Sequence, residues 1–237
     1  MREERLAIFG TGAADNQFDE PAAQAYGRSH SGSLATLGLA ADLHEHPLAF
    51  VQPLAGWENL GVRQEGGPVA ADIDETPRPG ELPPGHVLRL AEAKARAVQP
   101  RHPGAFILAA DTVVACGRRI LPKAEDEATA RACLMLLSGR RHRVYGGIAL
   151  LTPDGDLATR RVVSQVAFKR LSDEELAAYL ASGEWHGKAG GYAIQGRAAA
   201  LIPWIAGSYA NVVGLPLFET AQLLAGRGYR PACPATC

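Results

Sequence analysis

The sequence has no marked excess of charge of either sign and no long hydrophobic run. Lysine and arginine together number 24 and aspartate and glutamate 25 in 237 residues, so the formal net charge is −1. Without a general positive charge, attraction to nucleic acid or to an anionic membrane surface is not expected. The longest apolar runs are far too short to span a bilayer. We therefore expect neither nucleic acid nor a membrane as a partner, and an anionic ligand would need a local cluster of cations.

Cysteine is also scarce. The chain has four cysteines, which show no pairing or zinc-ligand pattern and fit a reducing compartment: Cys116, Cys133, Cys233 and Cys237. The first five residues carry acids and are not followed by a long apolar segment, so we expect no signal peptide. Together these features predict a cytoplasmic location. The length and the 47% hydrophobic content suffice for one large domain or two small ones.

An apolar stretch over residues 105–110 is followed directly by Asp111 and Thr112. A continuous run of this kind is typical of a strand covered on both faces, as in an α/β sheet. Ligands in such sheets bind beyond the carboxyl ends of the strands, so Asp111 is expected at a functional site. The alternative is an aspartate that only caps the following turn. Glycine-rich stretches at 187–196 and 207–216 are expected to form loops at the same site.

From residue 68 onward the apolar periodicity predicts a mixed order of helices and strands. Helices are expected over residues 85–98, from 125 to Gly139, after Ser172 and from Pro216. Strands are expected over 105–110 with a continuation at 113–116, and over 143–151, 160–168 and 198–205. The second helix is expected to bury Ala128, Ala132, Met135 and Leu136. Ser172 and Glu175 form a capping box that opens the third helix. The predicted fold class is α/β, a mixed sheet with flanking helices.

Lys94 falls on the apolar stripe of the first helix, which includes Val87, Leu90, Ala91 and Val98. A lysine on an inward face either extends its ammonium group to the rim of the core or serves a cleft. Helical spacing alone leaves both interpretations open.

Polar groups gather at the ends of the predicted elements. The acids are Asp74, Glu75 and Asp111, the cations are Lys94, Lys123, Arg140, Arg141 and Lys188, and the amide is Gln195. Acids beside cations suit a metal-bound polyphosphate, because divalent ions take carboxylate oxygens and lysines neutralise charge on a leaving phosphate. The alternative is a solvated rim of charges with glycines that only form turns.

From Ala71 to about Gly228 the sequence resembles the Maf family of nucleoside triphosphate pyrophosphatases. The matching stretches, in order, are Asp74–Glu75, residues 90–95 (LAEAKA), 110–114 (ADTVV), Lys123, 137–140 (LSGR) with His142, 188–192 (KAGGY), 194–196 (IQG), 207–209 (GSY) and 211–216 (NVVGLP). The set covers about two thirds of the chain.

The resemblance implies a cytoplasmic enzyme that cuts a nucleoside triphosphate between its α and β phosphates and requires Mg²⁺ or Mn²⁺. It also implies an elongated α/β fold with a central cleft, like that of inosine triphosphatases, and a possible homodimer. The Asp-Thr and Ile-Gln-Gly motifs resemble the branch that acts on dTTP and UTP.

Residue by residue, the resemblance gives Asp111 the role of proton acceptor for the attacking water or of metal ligand. Glu75 would help to hold the metal, and Lys94 and Lys123 would contact phosphates, so that these four form the expected catalytic set. Thr112 and Gln195 would help to select the base. Lys188 and Arg140 complete the expected substrate-binding residues.

The sequence departs from the family pattern near its N-terminus. Family members begin with a strand and a phosphate-binding loop that reads roughly Ala-Ser-x-Ser-Pro-Arg-Arg, whereas residues 47–62 read PLAFVQPLAGWENLGV. We therefore divide the chain into an atypical segment (residues 1–68), partly disordered or divergent, a Maf-like domain (69–228) and a tail (229–237). Two hypotheses remain: a pyrophosphatase whose phosphates are gripped by other groups, such as Arg140 and Arg141, or a catalytically impaired nucleotide-binding or interaction protein.

Overall fold

The structure is a computed structural model that describes residues 48–50 and 71–229. The expectations for the rest of residues 1–68, for most of the tail, and for Cys233 and Cys237 lie outside the described residues. Within them the helices are α1 (Pro83–Val98), α2 (Glu127–Leu137), α3 (Asp173–Ala181), α4 (Tyr209–Val213) and α5 (Leu217–Gly226). None of these helices has the length and hydrophobicity needed to cross a bilayer.

Eight strands accompany these helices in the described residues. They are β1 (Leu48–Phe50), β2 (Phe106–Cys116), β3 (Arg119–Ile120), β4 (Lys123–Ala124), β5 (Arg141–Leu151), β6 (Leu157–Ala167), β7 (Lys188–Ala189) and β8 (Trp204–Ala206). Five form the main sheet in the order β1-β2-β5-β6-β8, β3 pairs with the end of β2, and β4 pairs with β7 in a separate ribbon. Among the strands that the structure describes, β1 and β2 form a parallel pair and every other pair is antiparallel. The predicted α/β class, with a mixed sheet and flanking helices, is confirmed.

Helices cover both faces of this sheet. The side chains of α1 pack with Ile107, Ala109 and Val113 on one face of β2. On the other face α5 packs with Phe106, Leu108 and Ala110, while α2 and α3 pack around Val114 further along the strand. Since successive side chains of a strand point to opposite faces, β2 is buried on both sides and reads as a continuous apolar run.

A glycine sets the distance between α1 and the sheet. Gly147 of β5 lies beside Asp111 of β2 in the antiparallel register. A Cβ atom at position 147 would lie 2.5 Å from the main-chain oxygen of Val87 in α1. Because that contact is with backbone rather than with a flexible side chain, a larger residue would push the helix away. The close approach brings the inward face of α1 next to the centre of β2.

Local sequence signals account for several element boundaries. Prolines at the first two positions of α1 suit its start, since a first-turn residue needs no hydrogen-bond donor. Asp126 caps α2 by accepting a 2.7 Å hydrogen bond from the Thr129 amide. The capping box of Ser172 and Glu175 at α3 is confirmed.

Other expectations were wrong. In α2 the buried side chains are Ala130, Cys133, Leu134 and Leu137. Of the predicted stripe, Leu136 is partly buried against this core, whereas Ala128 and Ala132 are exposed and Met135 is 62% exposed. The predicted strand over 198–205 is a 3₁₀ helix over Arg197–Leu201 followed by the short β8. Tyr229, assigned to the tail, is buried, and its ring packs edge-on against Phe106. An Ala-rich helix has more than one apolar stripe, and the neighbouring elements decide which is buried.

The core between α2, α3 and the sheet contains a histidine. His142 is buried, and its Nε2 atom lies 2.8 Å from the Tyr192 hydroxyl. No described residue hydrogen-bonds its Nδ1 atom. Burial lowers the pKa of His142 to about 4, because the apolar surroundings disfavour the imidazolium. The side chain is therefore neutral in the folded protein at pH 7.

We expect this histidine to make the protein less stable in mild acid. The unfolded chain takes up the proton near the ordinary pKa of 6.5, whereas the folded protein does so only near 4. The free energy of unfolding should therefore fall by about 3 kcal/mol as the pH is lowered from 7 to 4. Urea unfolding across this range should show a shallower pH dependence for His142→Gln and an unchanged one for His186→Gln, a histidine that is about half exposed. Equal pH dependence in wild type and His142→Gln would contradict the assignment.

Candidate active site

A cavity of about 280 Å³ opens beside the middle of β2. On this side of β2, β1 pairs with the strand up to Leu108, and β3 pairs with it from Ala115. No described strand pairs with the stretch between them. Between these points Ala110, Thr112 and Val114 line the cavity. Ala110 belongs to the core under α5 and Val114 to the core under α2 and α3. The cavity therefore lies between two packed clusters, at a stretch of strand edge that no described strand covers.

Asp111 lies within β2 rather than beyond its end. The strand runs without a break over eleven residues, and Asp111 stands opposite Gly147 of an antiparallel neighbour. The expectation that Asp111 lies just beyond the end of the strand was wrong, and so was the alternative of a turn cap, because the strand continues through Asp111 to Cys116. Asp111 does line the cavity, and its side chain is 7% exposed.

Four charged side chains form one connected cluster at this edge. The Nζ atom of Lys94 lies 2.6 Å from Asp111 Oδ1 and 2.7 Å from Glu75 Oε1. The other Glu75 oxygen, Oε2, lies 2.5 Å from the Nζ atom of Lys123. Lys94 is fully buried, so the interpretation in which its ammonium group reaches the rim of the core is wrong. The structure thus brings together all four residues of the expected catalytic set.

Burial and ion pairing act in opposite directions on these groups. Burial raises the pKa of Asp111 above its ordinary value, and attraction to Lys94 only partly offsets this. Burial by itself would lower the pKa of Lys94, but its two carboxylate partners hold that pKa above the ordinary value. For Glu75 the effect of burial is outweighed by the hydrogen bonds from Lys123 and Lys94, which lower its pKa. Lys94 stays an ammonium group, and Asp111 is the carboxylate with the greater tendency to accept a proton.

The small ribbon of β4 and β7 carries Lys123 and one further cation, Lys188, to the cavity. Lys123 pairs with Ala189, and Ala124 with Lys188, so both lysines lie next to the same opening. Lys123 has a side chain that is 46% exposed, although it is paired with Glu75, and Lys188 is also exposed. Both lysines are therefore accessible to a ligand, in contrast to the buried Lys94.

The loop after β7 carries Gln195 into the cavity wall. Two buried tyrosines contact this loop from the side of the core. The Tyr179 hydroxyl accepts a 3.1 Å hydrogen bond from the Ala193 amide, and the Tyr192 hydroxyl contacts His142. The chain just before Gln195 is thus anchored to the core, while the Gln195 side chain itself is exposed at the cavity.

Thr112 lines the cavity, but its hydroxyl is engaged. It donates a 3.3 Å hydrogen bond to the main-chain oxygen of Gly214, which lies 102 residues further along the chain. Gly214 has a φ of 142° and also lines the cavity. Thr112 thus joins the sheet to the loop between α4 and α5, which closes the cavity on that side.

The arginines proposed as phosphate ligands are not among the residues that line the cavity. Arg140 lies in the connection between α2 and β5 and is exposed. The guanidinium of Arg141 stacks over the Trp204 ring at 4.5 Å from its centroid. Two smaller departures from the family pattern, Ala124 where proline is usual and Gly146 where threonine is usual, are accommodated. Ala124 is buried in β4, and the space at Gly146 is taken by the Asn211 side chain, whose Oδ1 atom would lie 2.0 Å from a Cβ.

No sequence signal pointed to the residues that hold Glu75 in place. Glu75 lies in an irregular segment, residues 71–82, which is tied to α1 by Arg89, Glu81 and His86. Arg89 lies off the apolar stripe of α1, so helical periodicity gives it no role. Its partners lie 8 and 13 residues away in a segment without regular structure, so no sequence periodicity could have indicated them.

The carboxylates suit a divalent cation that also binds a polyphosphate. Glu75 and Asp111 contact the same ammonium group, so their oxygens face one small volume beside the cavity. Mg²⁺ is usually held by one or two carboxylates, with phosphate oxygens and water completing its shell. The described residues contain no group of three or more side chains that would form an all-protein metal cage. The donor set therefore fits a cation that arrives with its nucleotide.

Removing Lys94 should destabilise the protein strongly. Lys94→Met leaves the buried Asp111 carboxylate without its cation, a change that typically costs about 3–5 kcal/mol. Lys123→Met removes the other cation bound to Glu75, but this lysine is about half exposed, and its loss should cost about 1 kcal/mol or less. Urea unfolding at pH 7 measures both. Similar losses for the two variants would contradict the importance of the buried pair.

Comparison with known proteins finds similar sequences that are named as pyrophosphatases. The chain is 71% identical over 161 residues to a dTTP/UTP pyrophosphatase of Paramagnetospirillum magneticum, which covers 68% of this chain and 85% of the relative. It is 70% identical over 161 residues to a dTTP/UTP pyrophosphatase of Rhodospirillum rubrum, which covers 68% and 77%. A solved structure of a dITP/XTP pyrophosphatase from Mycobacterium abscessus is a distant likeness, with a TM-score of 0.34 and 21% identity over 53% of this chain and 74% of that one.

The profile of the family described as Maf-like protein matches residues 59–227. The matched region includes the whole cavity and all four members of the charged cluster. Most of the atypical segment precedes it. On the extent of this match and the identity to its relatives, the chain belongs to the Maf family.

Proposed function

We propose that this protein is a nucleoside triphosphate pyrophosphatase that hydrolyses dTTP and UTP to the monophosphate and pyrophosphate. The observation that carries the proposal is the buried Lys94, which joins two carboxylates at a cavity edged by further lysines. The same region is about 70% identical to relatives named dTTP/UTP pyrophosphatase. Modified pyrimidine nucleotides are a further substrate class that the cavity could admit.

In this mechanism Asp111 accepts the proton of the attacking water. A base needs a pKa close enough to the working pH to take a proton, and burial raises that of Asp111 above its ordinary value. As the proton moves to Asp111, the water oxygen forms a bond to phosphorus, the anhydride bond between the α and β phosphates breaks, and pyrophosphate leaves. Lys94 holds the Asp111 carboxylate in position and stays charged throughout.

The exposed lysines would stabilise the leaving pyrophosphate. Negative charge develops on the bridging oxygen as the anhydride breaks, and cations aimed at that charge lower the barrier. Lys123 and Lys188 line the cavity and have exposed side chains that can reach a phosphate. Arg140 is a weaker candidate because it does not line the cavity. Gln195 would bind the base, and Thr112 would shape that side of the cavity through Gly214.

Glu75 and Asp111 are the residues that would hold Mg²⁺ or Mn²⁺. Such an ion supplies Lewis-acid stabilisation of the phosphate oxygens when bound. Glu75 would have to exchange a lysine contact for the ion, and its side chain, one-third exposed, is the more accessible of the two carboxylates. A cytoplasmic location and a homodimer remain predictions from the family resemblance.

Asp111→Asn should abolish most of the activity. The substitution keeps the shape of the side chain but removes the base and one negative charge, and loss of a positioned base typically lowers the rate about 10²–10⁴-fold. Pyrophosphate release from dTTP and UTP in the presence of Mg²⁺ measures the effect. The control is Asp154→Asn, in the exposed turn between β5 and β6. Turnover at the wild-type rate in Asp111→Asn would refute the role given to this residue.

The atypical N-terminal stretch should limit activity. A triphosphate in a cleft needs donors around it, and residues 47–62 contain no arginine and no Ser-Pro pair. Replacing 47–62 with a strand, a Ser-Pro-Arg-Arg loop and a helix should raise kcat/KM at least tenfold, as expected if one charge-assisted contact contributes about 1.5–3 kcal/mol. A graft with Ser-Pro-Ala-Ala in the loop is the control. If the unmodified protein already equals the grafted one, other groups grip the phosphates. If only the graft turns over, the chain is the catalytically impaired form.

A further inference from the structure

Glu75 is carried by a segment that has no regular backbone hydrogen bonding of its own. Residues 71–82 form neither helix nor strand and lead into α1. In helices and sheets repeated main-chain hydrogen bonds hold each residue, whereas an irregular segment depends on individual contacts. The direct contacts of the Glu75 side chain are with Lys94 and with the half-exposed Lys123. Another group must hold the backbone beside Glu75 if the carboxylate is to stay in contact with Lys94.

Arg89 of α1 supplies such a contact. Its Nη2 atom donates a 3.0 Å hydrogen bond to the main-chain oxygen of Thr76, the residue directly after Glu75. The same guanidinium binds both carboxylate oxygens of Glu81, at 2.7 Å through Nε and 2.9 Å through Nη2. A planar guanidinium can make this two-pronged contact and still reach a carbonyl, which a lysine cannot.

Glu81 in turn closes the segment on itself. It accepts a 2.9 Å hydrogen bond from the Arg78 amide, and its Oε2 atom lies 2.9 Å from Nδ1 of the buried His86. The hydrogen bond from Arg89 holds the pKa of Glu81 well below its usual range, so Glu81 stays ionised throughout any neutral assay. The Glu81 side chain is only 13% exposed, which limits the competition from water.

We propose that Arg89 is a positioning residue for Glu75. It fixes the backbone at Thr76 while Lys94, five residues further along the same helix, fixes the Glu75 carboxylate. One rigid helix therefore holds both the irregular segment and the carboxylate that this segment carries. Arg89 contacts no cavity-lining residue in the described hydrogen bonds and acts through Glu75. The inference rests on the proposed function for its kinetic consequence but not for its structural one.

Arg89→Met should lower kcat/KM for dTTP hydrolysis by about tenfold, the effect of losing roughly 1.4 kcal/mol of transition-state stabilisation. Arg89→Lys should lie between wild type and Arg89→Met, because it keeps the charge but not the fork. The matched control is Arg96→Met, which removes an arginine of the same helix from an exposed ion pair with Glu92 and should leave the rate unchanged.

A double-mutant cycle separates positioning from general stability. In a Glu75→Gln background, assayed at enzyme concentrations high enough to follow the slower reaction, Arg89→Met should have less than a twofold further effect, because its target is already lost. In a Gln195→Ala background its full effect should persist. An equal loss in all three backgrounds, as a lower folded fraction would produce, overturns the proposal, and so does an unchanged rate in Arg89→Met alone.

Amide hydrogen exchange provides a test that does not depend on activity. Exchange at the amides of residues 74–76 should be about tenfold faster in Arg89→Met than in wild type or Arg96→Met, while exchange in β2 and β5 stays the same. If the wild-type chain shows no turnover, the proposed function fails and this measurement alone decides the inference. Unchanged exchange at 74–76 overturns it. If Arg89→Met does not fold, exchange is measured in Arg89→Lys instead. Faster exchange beside Glu75 then supports the proposal, and unchanged exchange overturns it.

Discussion

The buried ion pair between Lys94 and Asp111 is the constraint on which the rest of the site depends. An ammonium group without solvent access is tolerated only when carboxylates surround it, and here two do so within 2.7 Å. The pair requires α1 to approach the centre of β2 closely, and Gly147 permits this because any side chain there would meet the helix backbone. The irregular segment before α1 then brings Glu75 into contact with the same ammonium group. The contacts that hold α1 against the sheet are therefore also the contacts that hold the charged groups of the site.

The charged groups of the site include a buried pair and an exposed pair. Lys94 and Asp111 are buried between a helix and a strand, so their geometry is set before any ligand binds. Lys123 and Lys188 are exposed on a two-stranded ribbon, and their side chains can follow a phosphate. Catalysis by stabilisation of developing charge works best when the groups at the reacting atoms are already in place. In the proposed reaction, exposed lysines would suit the departing pyrophosphate, which must be released after each turnover.

Predictions from the sequence succeeded where the signal was local or came from ordered motifs. Nearby residues or the family pattern were enough to predict three features: the capping box at Ser172, the inward position of Lys94 and the location of Asp111 at a site. The buried face of α2 was predicted wrongly, because alanine and leucine around that helix offer several stripes of similar hydrophobicity. The position of Asp111 within β2 was also missed, because a charged residue after an apolar run suggested the end of the strand, although the β-branched residues Thr112, Val113 and Val114 favour its continuation.

The sequence by itself determined the family, the α/β class and the identities of the four charged residues at the site. Only the tertiary structure decided that β2 runs antiparallel to β5 through Asp111, that its edge stays open between β1 and β3 in the described residues, and that Arg89 ties Thr76 to α1. The physical reason is distance along the chain. Caps and helical stripes depend on residues three or four apart, whereas strand register and the Thr112–Gly214 contact depend on residues tens of positions apart, whose meeting is set by the packing of the whole core.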